Sequence, residues 1–422
     1  MLKYDVIVVG AGPSGCMAAK YAAKAGASTL IVEKGAEIGE PVQCAGLISK
    51  RALEESELKD VKPLINNELK GAIVRSHSYE LRIEVPSPDK SAFAIKRDIF
   101  DRALAEDALK EGVDVLLNSK VKKIKREEGE AKLTLSADTA AGKEELKATV
   151  VIGADGVRSK VANMAGLNVT KHFLNCVQVE GEYKSADAFA EIFIGRDIAP
   201  GFFAWAIPLG AEKIARLGLC IDKRCSPHPS PLRFLKRFLA EHPDIAKRYK
   251  GSRAGFTAGA IPIPTDTGLK RRMPGQSTVR IQEGCGILLV GDAAAQVKPI
   301  TGGGVYYGLK CGKIAGGIAA EASLSNDMGV LRDYETQWRN EIGKEIAFGL
   351  KVHRLRCILN DRDFDTICRV LSQEEMLQRI AKHGDMDYQA HVFRDFLKNP
   401  SLMKLAAGNV IRYLYAKRRL GN

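Results

Sequence analysis

The sequence predicts an α/β protein with a Rossmann-like, doubly wound core and a helical C-terminal segment. Three observations predict it. The N-terminal stretch "YDVIVVGAGPSGCMAAKYAAKAGASTLIVEK" reads as strand, glycine turn, helix, strand. Two later stretches, "VIGADGVRSKVA" (151–162) and "GILLVGDAAAQVKPITGGGVYYGLKCG" (286–312), each run from an apolar strand into an aspartate set among glycines. Beyond about residue 330 the pattern is helical, with no further glycine turn of this kind.

In the first stretch, Asp5–Val9 is a short, almost wholly apolar run of the kind buried on both faces of a parallel sheet. Gly10, Gly12 and Gly15 follow in GxGxxG spacing. The first glycine permits a tight turn, the second lets backbone approach a pyrophosphate, and the third lets helix and strand pack closely. The helix start offers unpaired N–H groups and a positive dipole end to phosphate. Glu33 closes the second strand, where a carboxylate accepts from a ribose hydroxyl. This much specifies a dinucleotide, without choosing between a nicotinamide and a flavin. In the later stretches Asp155 and Asp292 occupy strand-to-helix turns. Gly302, Gly303 and Gly304 precede another helix start, which can face a flavin pyrimidine and stabilise its negative charge.

The bulk numbers bound the rest. At 422 residues the chain exceeds one compact core, so two or three units are expected. Hydrophobic residues at 45% and charged residues at 27% fit a soluble globular protein. No apolar run reaches the roughly 18 residues of a membrane span. "MLKYDVIVVGAGPSG" enters the glycines without a cleavage site, so the expected location is the cytoplasm. The net charge of +13, from 64 Lys+Arg against 51 Asp+Glu, favours anionic partners. With no arginine-rich arm or recognition motif, nucleic acid is not among those expected. From Leu402 the tail carries Lys404, Arg412, Lys417, Arg418 and Arg419 and no acid. It reads either as a helix lying on anionic headgroups, a peripheral membrane contact, or as a basic surface helix. Nine cysteines, an odd count without CxxC or Cys/His clustering, argue against a disulfide framework and a structural zinc site. No metal is expected.

Together, GxGxxG with Glu33, "GADGVRS" and "GDAA…GGG" resemble the FAD-dependent superfamily of p-hydroxybenzoate hydroxylase, in order and spacing over residues 1–320. That resemblance implies FAD and extends the cofactor set to Ser14, Val121 and Val305. It places an arginine at the helix after the first excursion. Arg97 stands there in "AIKRDIFDRALAEDALKEGV", ahead of Phe100, Leu104 and Leu109 on an amphipathic helix. A helix-end salt bridge is the other reading of Arg97. The resemblance also implies a discontinuous FAD-binding domain (1–65, 97–165, 280–330), an inserted antiparallel β-sheet substrate domain (66–96, 166–279) and a C-terminal helical region (331–422). Within the insert, "CSPHPSPLRFLKRFLAEHPDI" reads as a proline-rich loop entering a basic amphipathic helix. There is no second dinucleotide fingerprint. Electrons therefore arrive from transiently bound NAD(P)H or from an external, ferredoxin-like carrier.

"GFFAWAIPLG" (201–210) narrows the chemistry. Phe203, Trp205 and Ile207 alternate with alanines, so a strand presents three large apolar groups on one face. That face is either core or the wall of an apolar pocket. The stretch resembles the (Tyr/Phe)-x-Trp-x-(Phe/Ile)-Pro signature of geranylgeranyl reductases. Flavin halogenases have a similar motif, but they are longer and carry a lysine-bearing insert that this chain lacks. "GEPVQCAGLIS" (39–49) is similar to the Pro-x-x-Cys-x-Gly segment of archaeal geranylgeranyl reductases, matching at Pro41, Cys44 and Gly46. By that resemblance Cys44, Ala45 and Gly46 lie beside the flavin. Cys44 is then either a proton donor or a small loop filler. The resemblance implies an enzyme of lipid biosynthesis that saturates the geranylgeranyl double bonds of archaeal ether phospholipids with hydride from reduced FAD. Candidates for its anionic headgroup are Lys351, Arg354 and Arg356. The rival readings are an aromatic monooxygenase using NAD(P)H and O2, a chlorophyll-type geranylgeranyl reductase, and a non-catalytic lipid carrier.

Overall fold

A computed structural model describes residues 2–167, 170–185, 188–210, 213–226, 228, 230–264, 277–396 and 398–419, the side chains of 410–419 excepted. The strand Leu2–Val9 sits inside an eight-stranded sheet, which is why Val6–Val9 are buried on both faces. It pairs in parallel with Thr29–Val32 on one side and Gly142–Gly153 on the other. Cys285–Leu289 and Asp114–Leu116 extend the parallel block on either flank. All five strands deliver their C-terminal ends to one edge, where open α/β sheets bind ligands.

Two helices cover one face of this sheet. Pro13–Lys24 and Val305–Ser325 touch backbone to backbone. A Cβ at Gly312 would lie 2.6 Å from Ser14 O, and one at Gly316 would lie 2.1 Å from Ala18 O. Arg97–Lys110 packs beside them through Phe100, Leu104, Ala105 and Ala108. Leu109, expected on that buried face, is instead 49% exposed, because the buried stripe passes through Ala108.

A second sheet of eight strands is mostly antiparallel. Its centre is His172–Tyr183, Ile214–Asp222, Ala204–Pro208 and Phe189–Phe193, and Gly71–Arg75 and Glu80–Glu84 close one edge. One face packs on Pro231–Glu241 through Leu235, Phe238 and Leu239, the amphipathic helix expected there. A three-stranded sheet of Leu47–Ser49, Ala92–Ile95 and Ile65–Leu69 is interleaved in chain order with Gly71–Arg75 and Glu80–Glu84 of the second sheet. Described residues after Gly329 are helical or loop. Pro400–Arg419 is a helix. Lys404 is exposed there, and the side chains of Arg412, Lys417, Arg418 and Arg419 lie outside the described set.

The cysteine reading needs one correction. Cys176 and Cys220 form a disulfide between directly opposite positions of adjacent antiparallel strands. They are 44 residues apart, so spacing along the chain hides a contact that strand register creates.

Candidate functional site

At the parallel sheet's C-terminal edge the three glycines do different work. Gly10 has φ +107°, and a Cβ there would come within 2.4 Å of Ala154 O, so two strand-to-helix turns meet only through glycine. Gly12 faces open space, with nothing within 4 Å of an added Cβ. A Cβ at Gly15 would strike Gly10 O at 2.0 Å. The helix Pro13–Lys24 begins at Gly12 with no side-chain cap. Its first N–H groups therefore face that open space, as a pyrophosphate requires. Glu33 accepts from Ala11 N and Gly35 N, both at 2.8 Å. It braces the turn and keeps lone pairs for a ribose hydroxyl. Val121 follows two residues after Ser119, whose N–H bonds Glu33 O at 2.8 Å.

The other two turns are built differently. Both Asp155 oxygens are occupied: Oδ1 by Ser159 Oγ at 2.5 Å, Oδ2 by Lys160 N at 2.6 Å and Val161 N at 3.1 Å. Asp155 thus caps the helix Lys160–Met164 and shapes the turn that meets Gly10, rather than presenting a free carboxylate. The Asp292 carboxylate has no protein hydrogen-bond partner among the described residues. Burial pushes its carboxyl up to about 6, partly offset by Arg97. A Cβ at Gly304 would lie 3.0 Å from Asp292 Oδ1, and one at Gly303 would lie 2.8 Å from Lys298 Cε. Gly304 opens the helix Val305–Ser325, again without a side-chain cap. Ser14 Oγ joins the turns, 2.3 Å from the Cβ position of Gly291 and 2.2 Å from that of Gly308.

The Cys44 loop lies against these elements. Cys44 Sγ accepts from Gly46 N at 3.4 Å. Arg97 opens its helix, as expected, and grips Asp101 with two bonds of 3.0 Å. Burial works against its charge, but Asp101 and the Cys44 thiol outweigh it and hold the guanidinium cationic. Arg97 therefore makes the helix-end salt bridge and also reaches the Cys44 loop. Ala45 and Gly46 are fixed by Arg216, whose Nη1 donates to Ala45 O at 3.1 Å and Ile95 O at 2.9 Å. Gly46 has φ +70°, and a Cβ there would lie 2.2 Å from that same nitrogen.

Arg216 belongs to the second eight-stranded sheet, and register explains its neighbours. One row across the sheet is Ile207, Arg216, Glu180; the next is Trp205, Gly218, Gln178. The Trp205 indole lies over Gly218, where a Cβ would be 2.5 Å from Cζ2. Gln178 Nε2 donates to Cys44 O at 3.1 Å. Phe203 precedes the strand proper, packs edge-on to Trp205 and stacks on Phe202. The expected alternation is present: Trp205 and Ile207 enter a cluster with Phe203, Ala45 and Leu47, while Ala204 and Ala206 join the opposite core. Gln178, Arg216 and Gly218 carried no local signal in the sequence. Of the headgroup candidates, Lys351 and Arg354 are exposed. Arg356 instead sinks its guanidinium over the Phe202 and Phe203 rings and donates to Ile300 O.

Two uncapped helix starts brought together at Ser14, with a braced carboxylate on one side and a half-buried carboxylate without a protein partner among the described residues on the other, define an FAD-binding α/β oxidoreductase. A family model described as "FAD binding domain" matches residues 3–310. The digeranylgeranylglycerophospholipid reductase of Methanothrix thermoacetophila is 36% identical over 383 residues, 89% of this chain and 93% of that one. Digeranylgeranylglycerophospholipid reductase 2 of Methanopyrus kandleri is 32% identical over 412 residues, 96% and 99% of the two chains. Among solved structures, a geranylgeranyl bacteriochlorophyll reductase-like protein from Thermoplasma acidophilum superposes with TM-score 0.79 at 28% identity, covering 94% of this chain and 99% of that one. This chain belongs to the digeranylgeranylglycerophospholipid reductase family of FAD-dependent enzymes. FAD is its cofactor.

Proposed function

We propose that this protein saturates the isoprenoid double bonds of geranylgeranylated ether phospholipids. One observation carries the reading: Trp205, Ile207 and Phe203 share a continuous apolar cluster with Ala45 and Leu47 of the flavin-side loop. An isoprenoid chain has almost no polar handles, so apolar shape must recognise it. A wall continuous with the flavin loop delivers such a chain to the redox centre.

Reduced FAD, when bound, supplies the hydride. The chain's own residues do the rest. Gly12 and the uncapped helix starts hold the phosphates and pyrimidine side, and Asp292 accepts from a ribityl hydroxyl. Phe203, Trp205 and Ile207 orient the tail and exclude water. An isolated trisubstituted alkene accepts hydride poorly, so a proton must reach the other carbon as hydride arrives. Cys44 Sγ is the proton source, and Arg97 steadies the thiolate it leaves. The anionic headgroup is drawn by the protein's net positive charge, and the basic C-terminal segment from Leu402 is drawn to the anionic membrane surface. No described helix is long and apolar enough to cross a membrane.

The deciding experiment uses dithionite-reduced protein, kept anaerobic and mixed with geranylgeranylated glycerophospholipid. Flavin reoxidation with lipid mass gains of about two units per event, one hydrogen pair each, is the expected result. Flavin that stays reduced until oxygen is admitted would move the assignment to the monooxygenase class.

A further inference from the structure

A cluster of ligating side chains that the flavin site does not use gathers beyond the Phe203 end of the same sheet face. Asp222 ends the strand Ile214–Asp222, and Cys225 closes the turn Lys223–Cys225. His353 comes from the last turn of the helix Lys344–Arg356, and Cys357 follows that helix directly. Asp222 Oδ2 is 3.3 Å from His353 Nε2 and 3.6 Å from Cys357 Sγ, and those two atoms are 3.9 Å apart. Cys225 Sγ lies within 4.8 Å of the Asp222 and Cys357 donor atoms.

These separations can be compared with a tetrahedral zinc site, whose bonds are about 2.0–2.1 Å to nitrogen or oxygen and about 2.3 Å to sulfur. Its edges are then about 3.3 Å between oxygen and nitrogen and about 3.5 Å from either to sulfur. The Asp222–His353–Cys357 triangle matches within a few tenths of an ångström. We propose that Asp222, His353, Cys225 and Cys357 bind one divalent cation of the zinc class.

The surroundings suit a metal. His172 Nε2 at 3.1 Å and Arg224 Nη2 at 2.9 Å reach the same Asp222 Oδ2, and Arg224 N and Nε hold Oδ1 at 2.9 and 3.2 Å, so the carboxylate is fixed in place beside the thiols. A hydrogen-bonded carboxylate already has enough donors in His172, His353 and Arg224. Two thiols add little to that, yet they stand where soft ligands are needed. Cys225 and Cys357 are half-buried, which leaves an entry path. Binding a dication while releasing two thiol protons leaves the buried charge unchanged.

The site would fasten the wall. A Cβ at Gly201 would lie 2.6 Å from Asp222 Cβ and 2.7 Å from Cys225 Sγ, and Gly201 leads directly into Phe202 and Phe203. The metal would join that turn to the C-terminal helices. The sequence conceals the set because Asp222/Cys225 and His353/Cys357 are short pairs separated by most of the intervening chain.

The test uses FAD-loaded protein, stripped with chelator and titrated with cobalt(II). The expected result is about one equivalent bound, with tetrahedral d–d absorption to the red of the flavin bands and displacement by zinc. A Cys225→Ser/Cys357→Ser double variant should keep its FAD and lose at least about tenfold in metal affinity. Absence of the tetrahedral spectrum in the unmodified protein overturns the proposal, whether or not the double variant folds. So does equal uptake by the variant, or a Cys225–Cys357 disulfide whose reduction restores no metal binding.

Discussion

Gln178 Nε2 donates to the carbonyl oxygen of Cys44 across 3.1 Å, tying the middle of the second eight-stranded sheet to the Cys44 loop. Gln178 shares its row with Gly218 and Trp205. Sheet and loop are therefore one mechanical unit, and the position of Cys44 depends on the strands that carry Gln178 and Trp205. Replacing Gln178 with Ala removes one hydrogen bond, about 0.5–1.5 kcal/mol net. Lipid-driven flavin reoxidation should slow by about 2- to 12-fold with FAD content unchanged. Stopped-flow absorbance under anaerobic conditions checks this, and an unaltered rate would uncouple the two elements.

Trp205 separates a pocket wall from plain core. Its indole N–H is buried without a partner among the described residues. Trp205→Phe removes that unsatisfied donor along with part of the apolar surface. If the residue lines the pocket, the melting temperature should hold while KM for lipid rises about fivefold, the equivalent of about 1 kcal/mol of lost contact. A lower melting temperature with unchanged KM would assign Trp205 to the core.

Cys44→Ala tests the proton source. The thiol touches Arg97 and Gly46 N but fills no large volume, so FAD binding should survive. Loss of a general acid typically slows a reaction by at least about 100-fold. Single-turnover lipid reduction at an unchanged rate would transfer the proton to another group.

Much of this site was legible because its signals are local. Gly10, Gly12 and Gly15 act within a single turn, and the apolar alternation at 203–207 needs only the strand period. Asp292 stood out as a candidate because a glycine turn announces a close backbone approach. Asp155 stood in the same kind of turn, yet its carboxylate faces its own helix, a choice set by Ser159 and the Lys160 amide. What stayed hidden is register. Cys176 meets Cys220, Arg216 reaches Ala45 and Gln178 reaches Cys44 only once antiparallel strands are aligned and laid over the loop. None of those pairs has a spacing that a single strand or helix would mark.

Arg97 is half-buried, its side chain 12% exposed, and bound to Asp101 by two hydrogen bonds. Arg97→Ala would leave the Asp101 carboxyl buried without its cation, and burial already pushes that carboxyl up. Breaking a buried pair in this way costs about 3–5 kcal/mol. Thermal melts should show that loss, and FAD content should fall with it. Arg97→Lys keeps the charge but not the two-pronged grip, so it should restore stability more than FAD binding. Recovery of both to the same degree would mean that Arg97 serves the fold alone.

Asp292 gives the protein a pH signature of defined sign. Its carboxyl is raised from 3.8 to about 6, chiefly by burial, with Arg97 pulling the other way. Because the folded value lies above the unfolded one, the fold prefers the protonated acid. That contribution is complete below about pH 4 and is lost as pH rises through about 6. A shift of about two units corresponds to on the order of 2–3 kcal/mol. FAD-free protein should therefore lose stability to urea between these limits, relative to an Asp292→Asn variant measured alongside. The asparagine keeps the shape and cannot ionise, so the difference between the two curves isolates this one group from every other titration. Parallel curves across that range would place Asp292 in contact with solvent, and its suitability for a ribityl hydroxyl would then rest on the Gly304 contact alone.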